Sequence, residues 1–113
     1  YYKDTSLYKD MTLSSYQKVA ASTAIYPTQH AITYPALGLA GEAGEVANKV
    51  KKIIRDGKLD KSALGAEIGD CLWYIAALCR DLNLDLGEIA KANLEKLQDR
   101  KARGTLKGSG DKR

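Results

Sequence analysis

Phenylalanine is absent from the 113 residues, histidine, methionine and tryptophan occur once each, and proline and cysteine twice. Two prolines and no phenylalanine argue against an all-β chain punctuated by Pro/Gly turns. The two cysteines, Cys71 and Cys79, sit eight apart in one apolar stretch. They read as core thiols rather than a disulfide scaffold or a zinc site, and so point to a reducing, cytoplasmic setting. Runs of 18 or more apolar residues are lacking, as is a signal-peptide core near Tyr1, so neither a membrane span nor secretion is expected. A chain this short buries roughly two-thirds of its unfolded surface, enough for one modest core.

Charge is unevenly placed within the net +4. From Lys91 onward eight Lys/Arg face three acids, whereas ten face eleven in the first ninety residues. A basic tail on a near-neutral body suits an anionic ligand. Basic and aromatic residues do not interleave, so nucleic acid is not the expected partner.

Hydrophobic spacing and cap residues predict four helices and an all-α protein, a four-helix-bundle-like protomer. Residues 1–11 form a polar, tyrosine-rich N-terminal extension, with Met11 an alternative start. Residues 12–103 form the single helical domain, and 104–113 a basic Gly-rich tail. The first helix runs from Thr12 to about Ile25, where Pro27 stops it. A loop over 26–34 leads to a second helix opening with Pro35 near its first position and ending at Gly57. Asp60 or Ser62 caps a third helix reaching Leu82. Asp85 and Glu88 form a capping-box-like pair for a fourth that ends near Lys101.

The third helix holds the anomaly. From Ala63 to Cys79 it reads ALGAEIGDCLWYIAALC, apolar or small except for Glu67 and Asp70. A helix apolar on nearly all sides is buried, here between its own bundle and a second subunit. A buried carboxylate costs several kcal/mol unless it is paired or bound to metal. The second helix supplies a matching pair, Glu42 and Glu45, again three residues apart on one face. If the two helices pack antiparallel, Glu42, Glu45, Glu67 and Asp70 converge near mid-bundle. All-oxygen ligands suit Mg²⁺, with Mn²⁺ the alternative. A di-iron bundle wants Glu-x-x-His on two helices, and the one histidine, His30, lies in a loop. Salt bridges from Lys49 or Lys52 are the competing account. Glycines 38, 41, 44, 65 and 69 cost roughly 1 kcal/mol each inside a helix, so they mark either close helix approach or room for a ligand.

With these segments in view, GLAGEAGEVANKVKK, AEIGDCLWYIAAL and NLEKLQDR together resemble the MazG-like nucleotide pyrophosphohydrolases of the all-α NTP pyrophosphatase superfamily. The resemblance covers about residues 24–113, and the Glu-x-x-Glu … Glu-x-x-Asp pairing is its most specific part. It implies Mg²⁺-dependent hydrolysis of a nucleoside triphosphate to the monophosphate and pyrophosphate, in a homodimer or homotetramer. It also implies metal ligation by Glu42, Glu45, Glu67 and Asp70, and nucleotide or phosphate contacts from Tyr74, Asn93, Lys96 and Arg100. Many members carry a doubled glutamate where this chain has Gly41-Glu42, which leaves the number of metals open.

The residues fit that chemistry. Carboxylates hold ions that neutralise a triphosphate, and one of them, with Glu45 a candidate, takes a proton from the attacking water. Phosphates beyond the metal need cations, and Asn93, Lys96 and Arg100 form one stripe on the fourth helix. The bland account makes it a solvated face with Leu94 and Leu97 turned to the core. Trp73, Tyr74, Tyr26, Tyr34 and His30 are candidates for an aromatic wall against the base, although Trp73 also suits a core position and His30 a surface one. The terminal GSGDKR either folds over phosphates or is disordered. The competing function is a non-catalytic helical interaction module with structural salt bridges and a partner-binding tail.

Overall fold

The computed structural model describes residues 9–111, and every described element is helical. The helices are α1 (Leu13–Ala21), α2 (Thr33–Asp56), α3 (Lys61–Asp81) and α4 (Leu86–Arg103), with a 3₁₀ turn at Thr28–His30 between α1 and α2. The predicted extension over 1–11 falls mostly outside the described residues, as do the last two residues of the tail.

Local chemistry sets the ends. Thr12 Oγ1 accepts the Ser15 N–H at 3.0 Å while Ser15 Oγ accepts the Thr12 N–H at 2.8 Å, a reciprocal capping box. α1 stops at Ala21, four residues before the predicted end. There the Ser22 and Thr23 hydroxyls donate to the Val19 and Ala20 carbonyls and compete with the helix ladder. α2 starts at Thr33, so Pro35 is its third residue, still in the turn whose N–H groups lack helical partners. Gly57, at φ 70°, closes α2 in the left-handed conformation that a Cβ would strain. Of the two candidate caps for α3, Asp60 does the work, accepting the Ala63 N–H at 3.0 Å. Asp85 caps α4 through the Glu88 N–H, and α4 runs two residues past Lys101 to Arg103.

α2 lies antiparallel on α3, and α1 packs against α3 and α4. The core is small: Ala20, Ala76, Cys79 and Leu86, backed by Tyr16, Leu72, Trp73 and Ile75. Cys79 is thus the core thiol expected, and Cys71 is half-buried. Gln17 crosses from α1 to α4, donating to the Leu84 carbonyl at 2.8 Å and accepting the Leu86 N–H at 2.7 Å. Both ends of a buried amide are thereby satisfied.

The fold is open. Its radius of gyration is 17.1 Å, against about 13 Å for a compact chain of this length. Only Ala76, Ala77 and Cys79 of α3 are buried, and Ile68 is 56% exposed. α3 is also long and apolar enough, by length and composition alone, to cross a membrane. Glu67 and Asp70 near its middle would each cost about 2.5–3.5 kcal/mol in lipid, and α1 and α2 pack against it. On α4 the bland account does not hold: Leu94 is 60% exposed and Leu97 is exposed as well, while Leu86 and Arg100 are buried. α4 rests on α1 at its N-terminal end, so the leucines further along have no such cover.

Candidate metal centre

Antiparallel pairing sets residues near 42 on α2 against residues near 70 on α3, and the carboxylates meet there. One oxygen each from Glu42, Glu67 and Asp70 lies within 4.8 Å of the others. Oxygens on opposite sides of an octahedral Mg²⁺ stand about 4.2 Å apart, so this trio needs only small adjustments to share an ion. Hard oxygen donors without nitrogen or sulfur fit Mg²⁺ or Mn²⁺. Glu45 lies outside the trio, exposed one turn further along α2, yet its charge acts on Glu42. Partial desolvation pushes the Glu42 carboxyl above the usual range, helped by a hydrogen bond with Glu67 and by the charges of Asp70, Glu67 and Glu45.

The competing salt bridges do not form. Among the described residues no ion pair joins Lys49 or Lys52 to the four acids. These lysines instead line a separate cleft with Asp56, Lys58 and Asp60 at the α2–α3 turn. The glycine question divides. A Cβ on Gly38 would lie 2.5 Å from Cζ of Tyr74, so this glycine is close helix approach. Gly41, Gly44, Gly65 and Gly69 face no atom within 4 Å of such a Cβ, so packing within the chain does not explain them.

Tyr74, one turn after Asp70, ties the carboxylates to four aromatic rings in series. Tyr26 stacks on Tyr34 at 4.7 Å between centroids, Tyr34 is 6.4 Å from Tyr74, and Trp73 meets Tyr74 edge-on at 5.0 Å. Burial pushes the Tyr74 phenol up, and Tyr34, Glu42 and Asp70 beside it push it further. The aromatic wall therefore borders the trio. Trp73 is also a core residue, its Nε1 donating to Thr23 Oγ1 at 2.8 Å, and His30 is exposed on the 3₁₀ turn.

The α4 stripe is occupied from within the chain. Asn93 is exposed, but Lys96 Nζ pairs with Asp111 Oδ1 at 3.1 Å. Arg100, 4% exposed, donates from Nη2 to the Asp111 carbonyl at 2.5 Å, and its Nε is buried without a hydrogen-bond partner. Lys96 foremost, then Arg100, holds the Asp111 carboxyl below the usual range. The tail thus turns back over the stripe. α4 makes its main contacts with α1, whereas the trio lies between α2 and α3.

Sequence reasoning missed Asp81, which organises the loop behind the aromatic rings. Its Oδ2 accepts the Tyr26 hydroxyl at 2.6 Å and the Ile32 N–H at 3.0 Å. A signal was present: an acid in the last turn of a helix is disfavoured by the helix dipole and invites a reason.

Residues 31–104 match the model of the MazG nucleotide pyrophosphohydrolase domain. That span starts just before α2 and ends at the residue closing α4, leaving α1 and the tail outside it. The Gene 37 protein of Mycobacterium phage L5, a name that states no activity, is 45% identical over 114 residues, covering 91% of this chain and all of that protein. No solved structure matches. The helical hairpin that brings Glu42 to Glu67 and Asp70 lies wholly inside the matched span, and the chain belongs to the MazG nucleotide pyrophosphohydrolase domain family.

Proposed function

We propose that this protein is a Mg²⁺-dependent nucleoside triphosphate pyrophosphohydrolase, converting a (d)NTP and water to the (d)NMP and pyrophosphate. The observation that carries the reading is the convergence of Glu42, Glu67 and Asp70 on one another rather than on lysines. Three like charges at that separation repel unless a cation joins them, and a divalent ion would be held by these three with Glu45 beside them. When bound, such an ion supplies charge neutralisation for the triphosphate oxygens. A carboxylate not engaged by the ion is free to accept a proton from water, and the exposed Glu45 suits that role. Lys96 and Arg100 are proposed to bind phosphate, with the Asp111 carboxylate as their partner when no substrate is present.

Assembly belongs to the same proposal. Ile68 on the outside of α3, Leu37 and Ile54 on α2 and Leu94 on α4 are all large, apolar and exposed. A homodimer or homotetramer would cover them, and the open glycines at 41, 44, 65 and 69 leave room for a ligand or a second copy. The direct test is pyrophosphate release from a panel of NTPs and dNTPs, with Mg²⁺ and with EDTA. Release from at least one triphosphate that EDTA abolishes supports the reading. No release from any of them refutes it and favours a non-catalytic interaction module.

A further inference from the structure

We infer that Asp81 is a positioning residue for the base end of the substrate site, acting through Tyr26 and the turn at Ile32 on the Tyr26–Tyr34 stack. Its substrate rests on the pyrophosphohydrolase reading; its geometry does not. Ile32 has φ 69° and ψ −57°, and the Thr33 N–H reaches back to the Ala31 carbonyl at 2.8 Å. That is a γ-turn of the strained, positive-φ kind, with a β-branched residue at its centre. Such a backbone persists only where its surroundings over-determine it.

The surroundings here are one carboxylate and one guanidinium. The Asp81 side chain is 5% exposed, and its Oδ2 accepts both the Ile32 N–H and the Tyr26 hydroxyl. Its Oδ1 is held by Arg80 Nε at 3.1 Å and Nη2 at 3.0 Å. Arg80 also donates to the Tyr26 hydroxyl at 2.8 Å and to the Ala21 carbonyl at 3.2 Å, with its guanidinium 5.5 Å from the Tyr26 ring centre. The end of α3 thereby fixes both ends of the α1–α2 loop. The fixed ring, Tyr26, is the one on which Tyr34 stacks. Tyr34, 45% exposed, is the open surface of the series, and Tyr74 joins it to the trio. A base stacked on Tyr34 would therefore sit on a platform whose angle Asp81 sets from behind, without touching substrate.

The test uses the full chain with Mg²⁺, nucleoside triphosphates, and inorganic tripolyphosphate as an inhibitor that carries phosphates and no base. Asp81→Ala should raise KM for the preferred triphosphate about five- to hundredfold, the loss of one base–aromatic stack. The inhibition constant of tripolyphosphate should stay put, and kcat should move less than about threefold. Tyr26→Phe, which keeps the ring and loses the anchor, should shift KM in the same direction by less. Adding Ile32→Gly to Asp81→Ala should recover part of the loss, because glycine holds a positive φ without a carboxylate behind it. Asp81→Asn replaces Asp81→Ala if circular dichroism shows lost helix. An unchanged KM, or a tripolyphosphate constant that rises in step with KM, overturns the inference. If the wild-type chain turns over no triphosphate, the pyrophosphohydrolase reading has failed and binding decides instead. Quenching of Trp73 fluorescence by the nucleoside monophosphates should then weaken in Asp81→Ala by the same factor, and equal binding, or none by wild type, overturns it.

Discussion

Gly38 and Gly41 lie three residues apart on α2, and the same substitution should move stability in opposite directions at the two. Inside a helix, glycine to alanine stabilises by roughly 1 kcal/mol when nothing obstructs the new methyl group. Gly41 meets that condition, with no atom within 4 Å of an added Cβ. At Gly38 the methyl would fall 2.5 Å from both Cδ1 and Cζ of Tyr74, well inside contact distance. Tyr74 has little freedom to retreat, since Trp73 meets its ring edge-on and Tyr34 lies beside it as well. Overpacking of this kind costs about 1–3 kcal/mol. Set against the helix gain, Gly38→Ala should be neutral to about 2 kcal/mol destabilising, and Gly41→Ala about 1 kcal/mol stabilising.

Urea denaturation followed by far-UV circular dichroism measures both at equal m-value. Trp73 is the sole tryptophan, so its fluorescence reports any displacement of Tyr74. A double-mutant cycle assigns the cause. Tyr74→Phe keeps every clashing atom and should give no relief, whereas Tyr74→Leu removes the ring and should show a coupling of about 0.5–3 kcal/mol with Gly38→Ala. Gly38→Ala as stable as Gly41→Ala, or no coupling with Tyr74→Leu, would refute the α2–α3 approach described above.

Because Glu42, Glu67 and Asp70 repel in the metal-free chain, Asp70→Asn should raise the melting temperature without Mg²⁺ and abolish the rise that Mg²⁺ gives wild type, about 1.4 kcal/mol at ten times Kd; a variant less stable than wild type in EDTA would count against the repulsion. Burial alone would raise the Asp81 carboxyl, but Tyr26, the Ile32 N–H and Arg80 outweigh it and hold its pKa low. Its contribution is thus full above about pH 4, the unfolded value, and disappears as pH falls through the lower folded value, so Asp81→Asn should flatten that part of the acid-unfolding curve. Arg100→Ala should lower kcat/KM about ten- to a thousandfold while leaving nucleotide-free Mg²⁺ binding intact by calorimetry; full kcat/KM would assign Arg100 to tail anchoring alone. Sedimentation at micromolar concentration should show a dimer or tetramer, and a stable monomer would leave the exposed face of α3 unexplained.

The parts of this molecule that follow a period were legible, and those that follow a single contact were not. Glu42, Glu67 and Asp70 stand out because acids three apart in apolar helical sequence conflict with burial, and antiparallel pairing then fixes where they meet. The start of α2 and the end of α1 were displaced because hydroxyls at Ser22 and Thr23 and a positive φ at Ile32 act before Pro27 and Pro35 can. The bland account of α4, with Leu94 and Leu97 inward, failed because an amphipathic stripe names a face without naming its partner, and the buried positions are Leu86 and Arg100. Asp81 left only the faint signal of an acid at the wrong end of a dipole. No spacing rule links residues 26, 32 and 81.

These two kinds of construction divide the site. The carboxylate end is held by the α2–α3 hairpin, where helical periodicity and the Gly38–Tyr74 contact set the geometry, so substitutions there should change ion affinity and stability together. The aromatic end is held by an irregular loop pinned to the last turn of α3 by Asp81 and Arg80. Loops on a fixed scaffold can be re-aimed at little cost to the core. Tyr74 belongs to both ends, stacked in the aromatic series and subject to the charges of Glu42 and Asp70. Changes in the loop should therefore alter which triphosphate is preferred while ion affinity stays constant, and of the four rings only Tyr74 should move both.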